Sequence, residues 1–247
     1  MITTSRTQNS STLEAQAVPQ HVAIIMDGNR RWAAERRLPV IEGYRRGIIA
    51  LREATRACRD LGVPILTVYG FSTENWKRDF TEVSLLFDLC CAFARSELEG
   101  LRRDNVRVRI IGRYEALPPA PRAALENLAS KTAHNDGVIL NLAVNYSARA
   151  ELQDAVRALV EDARAGVLAP ETIDEQTLAS YLYTNGLPDP DLLIRPGGEC
   201  RLSNFLLFQI AYTELWMTDV NWPDFTRAHF EAALLEYRRR QRRFGGI

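Results

Sequence analysis

The sequence predicts a single-domain α/β protein with a mainly parallel central sheet flanked by helices. Short apolar runs of strand length, such as residues 22–26 and 65–71, alternate with longer segments whose apolar residues recur every three or four positions. Such alternation is typical of crossover units, which build parallel sheets. The 247 residues fit one large domain, and no linker rich in proline, glycine or serine divides them.

The first two predicted helices have recognisable ends. Pro39 stops the first short helix, and Gly62 ends the second one. Strands are predicted from their apolar runs at residues 22–26, 65–71, 106–112, 138–146 and 191–195. Helices are predicted from their periodicity at residues 30–37, 43–62, 79–101, 121–135, 149–165, 177–183 and 230–242. The helix at 79–101 carries an unusually broad apolar stripe, which on its own indicates core packing.

The composition argues against several classes of protein. Lysine and arginine together number 31, as do aspartate and glutamate, so nucleic-acid binding by bulk electrostatics is not expected. No apolar run approaches the roughly 18 residues of a membrane-spanning helix, and none is predicted. The four cysteines lack metal-site spacing, which indicates free thiols in a reducing compartment and predicts a cytoplasmic protein.

The two ends of the chain differ from its middle. Residues 1–20 are polar and lack the apolar core of a signal peptide, which predicts a mobile N-terminal arm before a folded domain at 21–247. The C-terminal stretch RRRQRRFGG is strongly basic. It is either a solvated helix end or a segment attracted to an anionic membrane surface, such as the inner face of the membrane.

An acid and two arginines follow the first predicted strand directly. Asp27 stands where open α/β sheets place their ligands, at the carboxyl end of a strand. Gly28 lets the backbone approach a ligand closely, and Arg30 and Arg31 carry the fork geometry that suits phosphate. Mg²⁺ bridges carboxylate and phosphate oxygens. This stretch therefore predicts a site for Mg²⁺ and a diphosphate together.

Two further polar segments belong to later strands. FSTENWKR follows the strand at 65–71, and IRPGGECRLSN begins in the strand at 191–195 and carries two arginines that suit a second diphosphate. In a parallel sheet both segments lie with Asp27 along one rim. Each residue also has an ordinary interpretation: Asp27 as a helix cap, Asn75 as a turn residue, the arginines in surface ion pairs.

Four segments resemble the signature blocks of the cis-prenyltransferases, and are most similar to the undecaprenyl diphosphate synthase group. In chain order they are HVAIIMDGNRRWA, FSTENWKR, IRPGGECRLSNFLLFQ and WPDF, and the resemblance extends from about His21 to Gly246. It implies that the domain at 21–247 is catalytic and contains an apolar substrate tunnel beside the helix at 79–101. Burying one methylene contributes about 0.8 kcal/mol, so a tunnel can hold a long isoprenoid without specific contacts.

The resemblance also implies roles for individual residues. Asp27 is the essential acid that positions Mg²⁺, and Glu214 in AYTELW matches a second metal-associated acid. Asn75 helps to remove a proton; because an amide is a poor base, we expect it to orient groups or relay the proton, with the departing diphosphate as acceptor. Residues 79–82 fit a flexible lid. Substrate-binding roles are implied for Gly28, Asn29, Arg30, Arg31, Trp32, Ser72, Thr73, Glu74, Trp76, Arg78, Arg195, Arg201, Leu202 and Ser203.

The implied function is an Mg²⁺-dependent isoprenyl transferase. It adds isopentenyl diphosphate units with Z geometry to an allylic diphosphate primer such as farnesyl diphosphate, giving a polyprenyl diphosphate. The resemblance also implies a homodimer, in which residues 243–245 match an R-x-G element that reaches the partner's diphosphate site. Two alternatives are a short-chain or branched terpenoid diphosphate synthase on the same scaffold, and a non-catalytic partner subunit. Such subunits should lack equivalents of Asp27 and Asn75, and both are present here.

The sequence departs from the family pattern at a few positions. Tyr44 stands where the family usually has histidine, although its phenol can still donate a hydrogen bond. Val40 stands where close bacterial relatives often carry arginine, which removes one phosphate contact. Ile48 and Val144 replace smaller residues of some relatives, and they would shorten the product if they face the tunnel. Cys200 replaces a histidine of some relatives.

Overall fold

Six parallel strands form the central sheet of the computed structural model, which describes residues 18–240. The strands are β1 (His21–Ile25), β2 (Ile65–Ser72), β3 (Arg107–Ile111), β4 (Ile139–Tyr146), β5 (Leu192–Arg195) and β6 (Glu214–Met217). Their order across the sheet is β3-β4-β2-β1-β5-β6, and every neighbouring pair is parallel. The predicted fold class is confirmed, and the carboxyl ends of the strands share one edge of the sheet.

Seven α-helices accompany these strands within the described residues, six of them between strands and the seventh after the last strand. They are α1 (Asn29–Glu35), α2 (Val40–Leu61), α3 (Phe80–Arg103), α4 (Pro119–Thr132), α5 (Ala148–Arg164), α6 (Glu175–Ser180) and α7 (Arg227–Arg239). All seven were predicted, with ends that differ by a few residues, and side-chain caps start four of them, α3, α5, α6 and α7. Asp174 starts α6 by accepting a hydrogen bond from the Thr177 amide at 2.7 Å. A capping box of Thr226 and His229 starts α7.

Strand β6 was not predicted from the sequence. Its four residues, ELWM, do not form the apolar run by which the other strands were recognised, and none of them is fully buried. Within residues 18–240 it pairs only with β5 and lies at the edge of the sheet. Because β6 is short and partly exposed, it forms through its pairing with β5, and its own sequence does not predict it.

The sheet buries apolar side chains on both of its faces. Along β1, Val22 and Ile24 pack into the core beneath α2, α3 and α7, whereas Ala23 and Ile25 face the core beside α5. Residues buried on both faces explain why β1 reads as a continuous apolar run. The sheet is therefore a rigid platform for the side chains that follow its carboxyl edge.

Some predictions concern residues outside the described range. Most of the predicted N-terminal arm lies in residues 1–17, and the R-x-G element lies in residues 241–247; neither is described. Val18 already packs against the core. None of the described helices combines the length and the hydrophobicity that crossing a membrane requires. The homodimer, the cytoplasmic location and the membrane contact stay predictions.

A buried histidine at the start of β1 should make the stability of the protein depend on pH. The His21 ring contacts the Pro188 carbonyl through Nδ1 at 2.7 Å and Thr67 Oγ1 through Nε2 at 2.6 Å. Burial lowers its pKa from 6.5 to about 4, although the Pro188 contact and nearby Asp191 oppose the shift. As the pH falls, the unfolded chain therefore binds a proton near pH 6.5, whereas the folded chain binds it only near pH 4.

We expect the free energy of unfolding to fall by up to about 3 kcal/mol as the pH drops through this window. Urea titrations between pH 7 and pH 4 measure it, and His21→Gln is the reference because it lacks the titrating ring. The wild type should lose more stability than His21→Gln over the window. Parallel pH profiles of the two proteins would contradict the assignment.

Candidate active site

A cavity of about 1000 Å³ lies at the carboxyl edge of the sheet, between the sheet and helices α2 and α3. Its wall includes residues at or directly after the ends of β1, β2 and β5, as expected for an open parallel sheet. The predicted residues that line it are Asp27, Gly28, Asn29, Arg30, Arg31, Ser72, Glu74, Asn75, Arg78, Arg195, Arg201, Leu202 and Ser203. The three segments recognised in the sequence thus meet at one site.

Three of the predicted substrate-binding residues do not line this cavity. The Trp32 indole donates to Asp224 Oδ1 at 2.8 Å and supports the Arg36 guanidinium on its ring. The Trp76 indole donates to Asn145 Oδ1 at 2.8 Å, and its ring packs on aromatic neighbours. Thr73 is also absent from the wall. Substrate contacts by these three side chains stay predictions.

Asp27 is held by positive charge on two sides. Its Oδ2 accepts from Arg195 Nη2 at 2.8 Å, and its Oδ1 lies 3.2 Å from Arg31 Nη2 and accepts from the Gly28 amide at 2.7 Å. Arg195 is nearly completely buried, and its Nε has no hydrogen-bond partner among the described residues. A buried guanidinium with an unsatisfied donor is suited to an incoming anion.

The loop after Asp27 depends on the WPDF segment for its position. The Trp222 amide donates to the Asp27 carbonyl at 2.9 Å, and the Trp222 indole donates to the Gly47 carbonyl at 2.9 Å. Gly28 has a φ of 98°, and a Cβ on it would lie 2.3 Å from Asn221 Oδ1. Only glycine therefore fits at this point of the loop.

A second cluster joins the end of β5 to the loop that follows it. Arg195 Nη1 donates to Ser203 Oγ at 2.8 Å and to the Arg201 carbonyl. Glu199 contacts Arg31 at 3.5 Å and also pairs with Arg201. In this arrangement Glu199 is the counterion of one arginine from each cluster.

The end of β2 continues into a short 3₁₀ turn, Thr73–Lys77. Asn75 and Ser72 close this turn as a capping box, in which Asn75 Oδ1 accepts from the Ser72 amide at 3.0 Å. An amide whose oxygen is held in this way presents its NH₂ group, which is a donor and not a base. This geometry fits the expectation that Asn75 orients groups.

Tyr44 forms a charged group with the start of α3. Its hydroxyl donates to Glu82 Oε1 at 2.6 Å and accepts from Arg78 Nη1 at 2.8 Å, and Arg78 also contacts Glu82. Burial, followed by the bond to Glu82, raises the pKa of Tyr44, so the phenol stays protonated. The predicted lid residues 80–82 form the first turn of α3, which Asp79 caps. A lid motion stays a prediction.

Several residues of the wall were not predicted from the sequence. Tyr69, Gly70, Arg149, Asn204 and Trp222 line the cavity. WPDF was recognised as a block, which was the available signal for Trp222. Arg149 and Asn204 come together only because α5 begins beside the loop that follows β5, and the sequence carries no short-range signal for that contact.

The cavity continues into an apolar region formed by one face of the sheet and by α2 and α3. Its residues include Ile48, Leu51, Leu86, Leu89, Cys90, Phe93, Leu125, Leu142 and Val144. Ile48 and Val144, the two bulkier replacements noted in the sequence, are both in this wall. The broad apolar stripe of α3 therefore serves the cavity as well as the core.

The second predicted metal ligand lies elsewhere in the chain. Glu214 begins β6, where it is level with Leu192 of β5 and Val22 of β1, whereas Asp27 follows the opposite end of β1. Its carboxylate accepts from Arg240 Nη1 at 2.9 Å. The two acids do not share a site within one chain, and a metal-binding role for Glu214 stays a prediction.

The side chains at the polar end of the cavity fit an Mg²⁺ ion that is bound mainly by the phosphate oxygens of a substrate. No group of three or more histidine, cysteine, aspartate or glutamate side chains within residues 18–240 forms a metal cage. Mg²⁺ needs none, because it often binds through one or two carboxylates, phosphate oxygens and water. Asp27 offers one such carboxylate among arginines that attract phosphate.

Comparisons with known proteins identify the family of this chain. The prenyltransferase family model, described as undecaprenyl diphosphate synthase, matches residues 25–245. The isoprenyl transferase of Geobacillus kaustophilus is 53% identical over 93% of this chain and 90% of its own length. That of Heliobacterium mobile is 49% identical over 96% of this chain and 92% of its own length.

Two solved structures share the fold. Lavandulyl diphosphate synthase from Lavandula x intermedia, in complex with dimethylallyl diphosphate, has a TM-score of 0.89 and 36% identity, over 92% of this chain and 98% of its own. A Campylobacter jejuni structure named for undecaprenyl diphosphate synthase has a TM-score of 0.77 and 32% identity, over 93% and 99%. The chain belongs to the undecaprenyl diphosphate synthase family of cis-prenyltransferases and is an isoprenyl transferase.

Proposed function

We propose that the enzyme adds isopentenyl diphosphate to an allylic diphosphate primer, such as farnesyl diphosphate, with Z geometry and in the presence of Mg²⁺. Each addition releases one diphosphate, and repeated additions give a polyprenyl diphosphate. One observation carries the proposal: a single cavity joins three strand-end clusters to an apolar region. Six arginines in its described wall suit two diphosphates, and the apolar region suits hydrocarbon.

The polar residues would first hold the two substrates side by side. Arg30 and Arg31, with backbone amides near Gly28, would bind the allylic diphosphate, and Arg195, Arg201 and Ser203 the isopentenyl diphosphate. The unsatisfied Nε of Arg195 supports this assignment. Fixing both reactants in one orientation supplies much of the rate advantage of a two-substrate reaction.

The chemical step would form one carbon–carbon bond and break the bond to the allylic diphosphate. The double bond of the isopentenyl unit attacks the allylic carbon, the diphosphate leaves, and a proton is lost from the isopentenyl unit. Arg31 would stabilise the negative charge on the leaving group. Asn75 would orient the isopentenyl unit through its NH₂ group, and the departing diphosphate would take the proton.

Asp27 is the residue that would hold Mg²⁺ against the diphosphate. When bound, the ion would neutralise charge that develops on the leaving group. Arg195 and Arg31 contact both oxygens of the carboxylate and fix its orientation for this role. This assignment needs only one carboxylate from the protein, and Asp27 supplies it.

A branched or short-chain condensation is the second candidate, because the lavandulyl diphosphate synthase structure is so similar. The cavity, at about 1000 Å³, is at the upper end of the roughly 300–1000 Å³ range of ordinary small-molecule sites, so it has room for a product longer than a single condensation gives. The test is to incubate the purified protein with labelled isopentenyl diphosphate, farnesyl diphosphate and Mg²⁺. We expect diphosphate release and an extended labelled lipid, both abolished by EDTA. No release with any allylic primer would refute the proposal.

Bulk added to the apolar wall should shorten the product. Val144 lines the cavity and is 8% exposed, so Val144→Phe would fill space that the growing chain needs. We expect the main product to lose at least one five-carbon unit, as measured by chromatography of the labelled lipid. Val156→Phe is the matched control, because Val156 is exposed on α5 and outside the cavity wall. An unchanged product in a folded Val144→Phe protein would contradict the tunnel.

A further inference from the structure

The loop that carries Ser203 has an unusual backbone. Ser203, Asn204 and Leu206 have φ values of 50°, 63° and 47°, in the left-handed region that L-residues other than asparagine and aspartate rarely adopt. Such a backbone persists only when its surroundings hold it. The contacts that hold this loop therefore determine where Ser203 lies in the site.

Asn204 makes three hydrogen bonds to two other elements. Its Nδ2 donates to Glu74 Oε1 at 2.8 Å, at the turn that follows β2. Its Oδ1 accepts from the Arg149 amide at 3.0 Å, and its carbonyl accepts from the Ala148 amide at 2.8 Å, both at the start of α5. One side chain thus ties the loop to two other elements of the cavity wall.

These contacts continue a chain of hydrogen bonds across the site. Ser203, next to Asn204, accepts from Arg195 at 2.8 Å, and Arg195 donates to Asp27 at 2.8 Å. The route from Glu74 to Asp27 therefore runs through Asn204, Ser203 and Arg195. It joins the cluster that contains Asn75 to the cluster proposed for the second diphosphate.

We propose that Asn204 is a positioning residue, which fixes the second diphosphate relative to the groups at the end of β2. The proposal rests on the proposed function and adds to it a residue outside the predicted site. Asn204 acts through Ser203 and Glu74. Its NH₂ group is the essential part, because it satisfies the Glu74 carboxylate, while the oxygen only caps α5.

The electrostatic state of Glu74 supports these different roles for the NH₂ group and the oxygen of Asn204. Burial raises the pKa of Glu74, but hydrogen bonds, led by the one from Asn204, outweigh that effect and leave the pKa below its ordinary value. The carboxylate is therefore ionised when Asn204 contacts it. The substitution Asn204→Asp keeps the left-handed backbone and the cap but places a second carboxylate against Glu74.

The experiment is a double-mutant cycle of Asn204→Asp and Glu74→Gln, read as the KM for isopentenyl diphosphate and as kcat. With Glu74 intact, Asn204→Asp should raise this KM about tenfold or more, because the two carboxylates repel each other. In the Glu74→Gln variant, the new amide can donate to the carboxylate introduced by Asn204→Asp, so the same substitution should change the KM less than about twofold. The effect of Glu74→Gln itself cancels from this comparison.

Asn105→Asp is the matched control. Asn105 also has a left-handed backbone, with φ of 54°, and its Nδ2 donates to Asp136 Oδ1 at 2.8 Å, but it does not line the cavity. We expect Asn105→Asp to lower the melting temperature without changing the KM. This control shows what the loss of a similar hydrogen bond does away from the cavity, where no diphosphate would be positioned.

The outcomes separate this inference from the function on which it rests. If the wild type forms no product, the proposed function fails first. If the wild type is active and Asn204→Asp raises the KM equally with and without Glu74→Gln, or leaves it unchanged, then Asn204 is a helix cap and the inference is wrong. A larger effect with Glu74 intact than in the Glu74→Gln variant supports it.

Discussion

Replacing Asp27 by asparagine should lower kcat/KM about a thousandfold, the largest effect that we expect from one substitution. Asparagine keeps the size of the side chain but removes the charge that Arg195 and Arg31 surround and that would hold Mg²⁺. Initial rates with labelled isopentenyl diphosphate, at increasing Mg²⁺, measure the loss. High Mg²⁺ should not restore the rate, because the ligand itself is gone.

Asp154→Asn is the control for the Asp27 experiment. Asp154 is also an acid bound by arginine, with Arg113 donating to its two oxygens at 2.8 and 2.7 Å, but it does not line the cavity. Its loss should reduce stability and leave kcat/KM within about twofold of the wild type. A folded Asp27→Asn enzyme with nearly normal activity would contradict the assignment of Asp27.

The second large effect is expected for Gly28→Ala, which adds one carbon to the loop after Asp27. The new Cβ would lie 2.3 Å from Asn221 Oδ1, and alanine is strained at a φ of 98°. The loop must shift, and it carries Asp27 away from Arg195. Because catalysis is sensitive to displacements of about 1 Å, we expect kcat/KM to fall about a hundredfold.

Gly186→Ala separates the clash from the strain. Gly186 has a φ of 82°, but a Cβ on it would meet no atom within 4 Å, so its substitution brings strain alone. This variant should lose about 1 kcal/mol of stability and keep its activity. Equal kinetic losses in both variants, at equal melting temperatures, would show that the close approach of Asn221 does not matter.

The fold was predictable because its main signals are local. The buried strands β1, β2 and β4 read as apolar runs, and α2 reads as an amphipathic helix that ends at Gly62. The exposed edge strand β6 lacks such a run. Its pairing with β5 depends on tertiary structure, and no periodicity in the sequence reports it.

The site was predictable as far as sheet geometry determines it. Parallel strands bring the residues after β1, β2 and β5 to one edge, which places Asp27, Asn75 and Arg195 around one cavity. Glu214 shows the limit of this reasoning. Its short motif gave no position in the sheet, and the structure places it at the start of an unpredicted strand.

The contacts between loops were not predictable from the sequence. The hydrogen bonds from the Trp32 and Trp76 indoles to Asp224 and Asn145 had no signal in the sequence. Asn204 lies in the recognised IRPGGECRLSN segment, but its contacts had no signal either, since its partners Glu74 and Arg149 lie 130 and 55 residues away. Such contacts follow from how the loops pack, which local patterns do not encode.

The most direct test of the central claim is the structure of the product made from labelled isopentenyl diphosphate and farnesyl diphosphate. Mass spectrometry gives the number of added units, and NMR gives the geometry of each new double bond. We predict several added units, all with Z double bonds, because one cavity joins the substrates and holds the growing chain. A branched product, a single addition or E double bonds in the added units would contradict the account.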